Sequence, residues 1–198
     1  MDATQGETAA LIEGWRTLSD DQRLAILLPP LSAACLEDLL APALTCGVST
    51  VLLGRSRSGA DVQHLDVLLQ VAEVRLGLEL GNTKIVAMIG DNPHGLLAAG
   101  SFAGKSRRLM ALGWDASLLG AAFGLAAEAE SDVAASARAT LLLAAAAAGV
   151  AAIDTKTEGH DPAGFRAACL HARAQGFGGK MTGQPSQIET IESVFGDR

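Results

Sequence analysis

The sequence predicts an α/β fold built on a parallel sheet, and three observations carry that prediction. Short apolar, β-leaning runs recur at 24–28, 49–53, 84–89, 108–112, 150–153 and 179–182, each too short for a helix. Longer stretches with helical spacing follow them at 33–45, 60–76, 95–103, 132–148, 162–175 and 186–195. The strand runs are nearly continuous in apolar character, as expected of strands covered on both faces by crossover helices.

Taken in order, the chain starts with an amphipathic stretch at 7–18, an extra N-terminal helix ahead of the first strand. In 60–76, Val62, Leu65, Leu69, Val71, Ala72 and Leu76 mark one stripe, while Gln63, His64, Asp66 and Gln70 mark much of the other face. Ser58 stands three residues before Asp61 in a capping-box pattern, and Gly77 supplies the left-handed residue that ends such a helix. Asp161 followed by Pro162 is a matching start for the helix at 162–175. No linker rich in Pro, Gly or Ser divides the chain, so one domain over 1–198 is expected. Six strand candidates are two short of a closed eight-fold barrel, and the length suits an open sheet or an abbreviated barrel.

Composition excludes several function classes. Hydrophobic residues make up 49% of the chain and charged ones 19%, which excludes disorder as the main state. Fifteen Lys and Arg against 22 Asp and Glu give a net charge of −7, which repels phosphate backbones and anionic lipid, so no nucleic acid partner is expected. The longest uncharged run, 139–153, is shorter than the ~20 apolar residues of a membrane helix, so no span is expected. The N-terminus is acidic and lacks an apolar signal core, so the expected location is the cytoplasm. Cys35, Cys46 and Cys169 have no C-x-x-C spacing and read as buried thiols.

In parallel α/β folds chemistry collects where strands end. Those positions carry Gly54, Arg55, Ser56 and Arg57; Gly90, Asp91 and Asn92; Gly113, Trp114 and Asp115; Asp154, Thr155 and Lys156; and Gly183 with Gln184. Asp91 and Asp115, from adjacent strands, suit magnesium, which takes one or two carboxylates plus waters and substrate oxygens. An Asp in that place also caps a helix with no metal involved. Arg55 and Arg57 have the fork geometry for a carboxylate or phosphate, though exposed arginines are commonly just solvated. His64, His94, His160 and His171 are scattered and no G-x-S-x-G elbow exists, so nucleophilic catalysis has no support. Gly104-Lys105-Ser106 ends like a phosphate-binding loop, but the required first glycine is Ala99.

The C-terminal block Gly176-Phe177-Gly178-Gly179-Lys180 followed by Gln184-Pro185-Ser186-Gln187-Ile188 and Phe195 resembles the end of the HpcH/HpaI aldolase and citrate lyase beta-subunit family, with Gln184 in a His column. Ala152-Ile153-Asp154 and Asp161-Pro162-Ala163-Gly164 are similar to its Ala-Ile-Asp strand and the helix start after it, and Gly54-Arg55 replaces a Pro-Lys pair. Met88 to Leu97 resembles the family's Ile-Glu-Thr-x-x-Gly-Leu, with Gly90 in the Glu column and Asp91 one residue on. Leu112-Gly113-Trp114-Asp115 resembles Phe-Gly-x-Glu-Asp. Before Val51, only 21–29 is similar to the first family strand, leaving about two β/α units absent between them.

The resemblance implies an abbreviated parallel β/α barrel of the TIM type with about six units, a Mg2+ cofactor and carbon–carbon lyase activity on an oxo-acid or acyl-CoA ester. It assigns Asp91 and Asp115 to the metal, Arg55 and Asp154 to catalysis, and Arg57 and Gln184 to the substrate. A relative that has lost catalysis and serves as a binding or regulatory scaffold is the alternative. The unclosed sheet, like the resemblance, leads to an expected homo-oligomer.

Overall fold

The computed structural model describes residues 25–29, 31–33, 35–125, 132–157 and 161–196. Among these residues six strands run parallel in chain order: β1 (Ala25–Leu28), β2 (Thr50–Leu53), β3 (Lys84–Gly90), β4 (Leu109–Trp114), β5 (Ala151–Asp154) and β6 (Gly179–Lys180). Seven helices accompany them among the described residues: α1 (Leu36–Thr45), α2 (Gly59–Leu76), α3 (Pro93–Leu97), α4 (Ala116–Ala121), α5 (Asp132–Ala148), α6 (Pro162–Gln175) and α7 (Ile188–Phe195). The expected helix at 7–18 lies outside the described residues.

Strand register aligns the side chains of one face across the sheet: Ile26 faces Val51, Val51 faces Ile85, and Ile85 faces Leu109. This outer face is buried under the helices, with Leu40, Leu65, Leu69, Phe102, Leu141 and Phe177 filling the layer between. The opposite, inner face is open. Leu27 is 68% exposed and Met110 47%, because six strands curl into a half-barrel without closing over their own interior. The sequence places the missing units between β1 and β2, yet one helix joins these strands and they pair directly. Among the described residues β1 and β6 each have one strand partner, so the opening of the described sheet falls between them.

Local chemistry explains where elements begin and end. The Asp61 carboxylate accepts from the amides of Arg57 at 2.6 Å and Ser58 at 3.3 Å, tying down the start of α2, and Gly77 ends it at φ 67°. Asp161 caps α6, accepting from the amides of Ala163 and Gly164. Four expectations change. The helix at 95–103 is α3 followed by a 3-10 turn over Ala99–Phe102, and the one at 186–195 begins as a 3-10 turn over Pro185–Gln187. Strand β4 runs two residues further than its apolar run, so Gly113 and Trp114 are strand rather than loop. Asp154 likewise closes β5 rather than following it.

At the N-terminal end of the sheet a buried ion cluster bolts α2 to the strands. Arg108, just before β4, grips Glu73 through two hydrogen bonds of 2.8 and 2.7 Å and also donates to Asp66 at 2.6 Å. Glu73 further accepts from the amides of Gly81 and Thr83. Burial alone would push the Glu73 carboxyl up, but the guanidinium and the two amides outweigh it and bring it down to about 2.

Candidate functional site

The C-terminal end of the sheet is built differently. A cavity of about 550 Å³ opens there, walled by Leu27 and Leu28 of β1, Leu52 of β2, Met88 of β3, and Met181 beyond β6. That β1 and the exit of β6 border one cavity follows from the curl of the sheet. Its polar groups are Arg55, Asp91 and Asp115, which leave β2, β3 and β4.

Asp91 follows Gly90 directly and is 7% exposed. Its Oδ2 accepts from the Arg55 amide at 2.6 Å and its Oδ1 from Asn92 Nδ2 at 2.8 Å. Burial pushes its carboxyl above the ordinary aspartate value, the donated hydrogen bonds opposing only in part. Asn92 also donates to the Ser56 carbonyl and accepts from the Gly95 amide, capping α3 and fastening the loop after β3 to the loop after β2. Gly95 permits that contact, since a Cβ there would collide with the carbonyls of Ile89 and Ser56.

Gly90 has its own reason. It pairs with Trp114 after a register shift between Met88 and Gly90, and a Cβ at 90 would collide with the Trp114 side chain. No carboxylate can be carried at 90 beside this tryptophan; the acidic side chain that borders the cavity comes from the next position.

Arg55 is exposed and holds φ 53°, the one left-handed non-glycine among the described residues. Such a conformation costs about 1–2 kcal/mol for an ordinary residue, and here it aims the backbone N–H at Asp91. Asp115 caps α4, its Oδ1 accepting from the Leu118 amide at 3.0 Å. Helix α4 is absent from the sequence expectations because six residues carry too little periodicity to register.

The other residues singled out in the sequence lie elsewhere. Asp154 is 3% exposed and does not border the cavity: Oδ1 accepts from the Trp114 indole at 2.9 Å, and Oδ2 from Lys180 at 3.0 Å and Arg138 at 3.2 Å. Arg57 faces a second depression with Asp61 and His94. Gln184 precedes the 3-10 turn, its amide donating to Thr182 Oγ1. The sequence reading assigned no role to Asn92 or Thr155. The Asn92-Pro93 pair was a legible helix start; nothing local distinguished Thr155.

Two carboxylates from neighbouring strands, one of them well buried, line this cavity, and carboxylate oxygens are the donors a hard cation takes together with waters. Among the described residues no group of three or more His, Cys, Asp or Glu comes together, so a closed zinc-type centre is not formed by them. No helix among them is long and apolar enough to cross a membrane.

Comparison with known proteins agrees with this architecture. The beta subunit of citrate lyase from Haemophilus influenzae is 31% identical over 150 residues, 75% of this chain and 51% of that protein. The Escherichia coli beta subunit is 28% identical over the same length, 49% of its own. The chain thus spans about half the length of these curated relatives. Among solved structures, RipC from Yersinia pestis superposes with a TM-score of 0.76 at 28% identity, covering 98% of this chain and 84% of that one. The citrate lyase beta subunit from Mycobacterium tuberculosis complexed with oxaloacetate and magnesium shares the fold, with a TM-score of 0.74 at 24% identity over 98% of this chain and 82% of that one. The sequence profile of the HpcH/HpaI aldolase/citrate lyase family matches residues 16–185, and with the parallel half-barrel beneath it this places the chain in that family.

Proposed function

We propose that the chain works as a magnesium-dependent carbon–carbon lyase on an oxo-acid or acyl-CoA ester. The observation that carries this reading is the convergence of Asp91, Asp115 and Arg55 on one cavity at the C-terminal ends of neighbouring strands. Asp91 and Asp115 would hold the ion. When bound, magnesium supplies positive charge for the enolate oxygen that develops as the carbon–carbon bond breaks. Arg55, exposed at the rim, meets the substrate carboxylate, and its amide fixes Asp91. The apolar wall of Leu27, Leu52, Met88 and Met181 excludes water from the reacting carbon. The solved relative with magnesium and oxaloacetate supports both the ion and the substrate class.

The second reading, a binding scaffold without catalysis, draws on one observation: Asp154, assigned to catalysis by the resemblance, spends both oxygens inside the protein. The purified chain incubated with oxaloacetate, malyl-CoA and citryl-CoA, with Mg2+ and with chelator, separates the two. Cleavage of any of them that stops with chelator supports the lyase; calorimetric binding without cleavage favours the scaffold; neither removes both. The sides of β1 and β6 that pair with no strand among the described residues further support self-association, which light scattering reads as a mass above that of one chain.

A further inference from the structure

Residues on either side of Asp115 are fastened to the last residue of β5 and the residue that follows it. Trp114 donates its indole N–H to Asp154 Oδ1 at 2.9 Å, and the Ala116 amide donates to Thr155 Oγ1 at 3.0 Å. One ammonium secures both anchors: Lys180 Nζ donates to Asp154 Oδ2 at 3.0 Å and to the Thr155 carbonyl at 2.7 Å. Lys180 is 8% exposed, so this ion pair is shielded from solvent. Helix α4 has six residues, too few to hold its own first turn in a fixed direction. The Asp115 carboxylate itself accepts from the Leu118 amide within α4, and the backbone on either side of it is held from β5 and β6, through Trp114 on one side and Ala116 on the other.

We propose that Thr155, whose hydroxyl holds the Ala116 amide and whose carbonyl is held by Lys180, is a positioning residue that sets how Asp115 presents its carboxylate to a divalent cation in the cavity. This rests on the metal reading above and assigns Asp154 a supporting place in it. Thr155 touches neither the cation nor the substrate; it fixes the backbone amide next to the ligand. Outer groups that orient metal ligands typically account for 10- to 100-fold in affinity.

The test uses the full-length chain with Mn2+ and Mg2+ as probes, their affinity measured by calorimetry, and amide exchange measured at Ala116 and Leu118. Thr155→Val keeps the shape and removes the hydroxyl; Thr155→Ser keeps the hydroxyl. The expected result is a Mn2+ affinity about 10-fold weaker in Thr155→Val and within about 2-fold of wild type in Thr155→Ser. Exchange at Ala116 should rise in Thr155→Val alone, with the midpoint of thermal unfolding equal in the two variants. Equal metal affinity in Thr155→Val and wild type overturns the positioning role while leaving the metal site standing. Wild-type protein that binds neither ion overturns the metal reading, and this role with it.

Discussion

Glu73 at the N-terminal end of the sheet and Asp91 at the C-terminal end are both buried carboxylates, and the protein holds them in opposite ways. At the N-terminal end Glu73 meets a full positive charge: Arg108 grips both its oxygens, two amides complete the shell, and the carboxyl falls to about 2. At the C-terminal end Asp91 is also buried, but its direct partners are neutral, an amide N–H of Arg55 and the side-chain amide of Asn92. Burial then prevails and its carboxyl is pushed up. A charge answered by a buried cation holds elements together; one answered by dipoles and the charge of an exposed arginine retains an attraction for a cation from outside. The division follows the general habit of β/α barrels, stability at one end and chemistry at the other.

The largest effect that can break this comparison belongs to the closed end. Glu73→Gln should destabilise the fold by roughly 3 kcal/mol in urea denaturation, because it leaves the buried Arg108 with Asp66 as its remaining charged partner. The pH dependence carries the same sign: a carboxyl lowered from 4.5 to about 2 on folding stabilises the fold fully above 4.5 and loses that contribution as pH falls toward 2. Glu73→Gln should flatten the stability profile across that interval. A loss under about 1 kcal/mol would show that the cluster is no clamp.

At the open end Asp115→Asn should reduce Mg2+ affinity and any cleavage by more than about 100-fold, since it removes a ligand rather than a group behind one. Unfolding stability should change little, because Asn caps a helix about as well as Asp. Activity retained by this variant would sink the two-carboxylate site.

Smaller effects sharpen the role of the strained rim. Arg55→Ala and Arg55→Gly both delete the guanidinium and should raise KM about 10-fold, the scale of one charge-assisted hydrogen bond. Only the glycine relieves the left-handed backbone, so Arg55→Gly should be more stable than Arg55→Ala by about 1 kcal/mol in thermal unfolding. Equal stability of the two would remove the argument from strain. The smallest effect is expected at Cys35, Cys46 and Cys169: the triple serine variant should keep cleavage within about 2-fold, as burial raises the Cys169 thiol and leaves it unreactive.

The alternation of strands and helices was legible because periodicity is a local property. The runs at 49–53 and 84–89 became β2 and β3 within a residue at each end, and the caps at Asp61, Gly77 and Asp161 took the places their chemistry required. Strand-end carboxylates were legible for the same reason: a parallel sheet sends every strand exit to one side, so Asp91 and Asp115 had to emerge together.

Partnership was not legible, since it depends on which residues the curl of the sheet brings into contact. Nothing in the sequence couples Arg108 to Glu73, 35 residues apart, or Ala116 to Thr155, 39 apart. Asp154 shows the difference most sharply. Its place at a strand end made it look like a catalytic group, but in a half-barrel the alternation of side chains along β5 turns it away from the cavity, into reach of Trp114, Arg138 and Lys180. Composition and spacing thus specified which elements form and which end of the sheet bears acidic groups. Packing alone decided which carboxylates are neutralised by the protein's own cations and which are left facing an open cavity, because that choice is made by contacts across strands that no local pattern records.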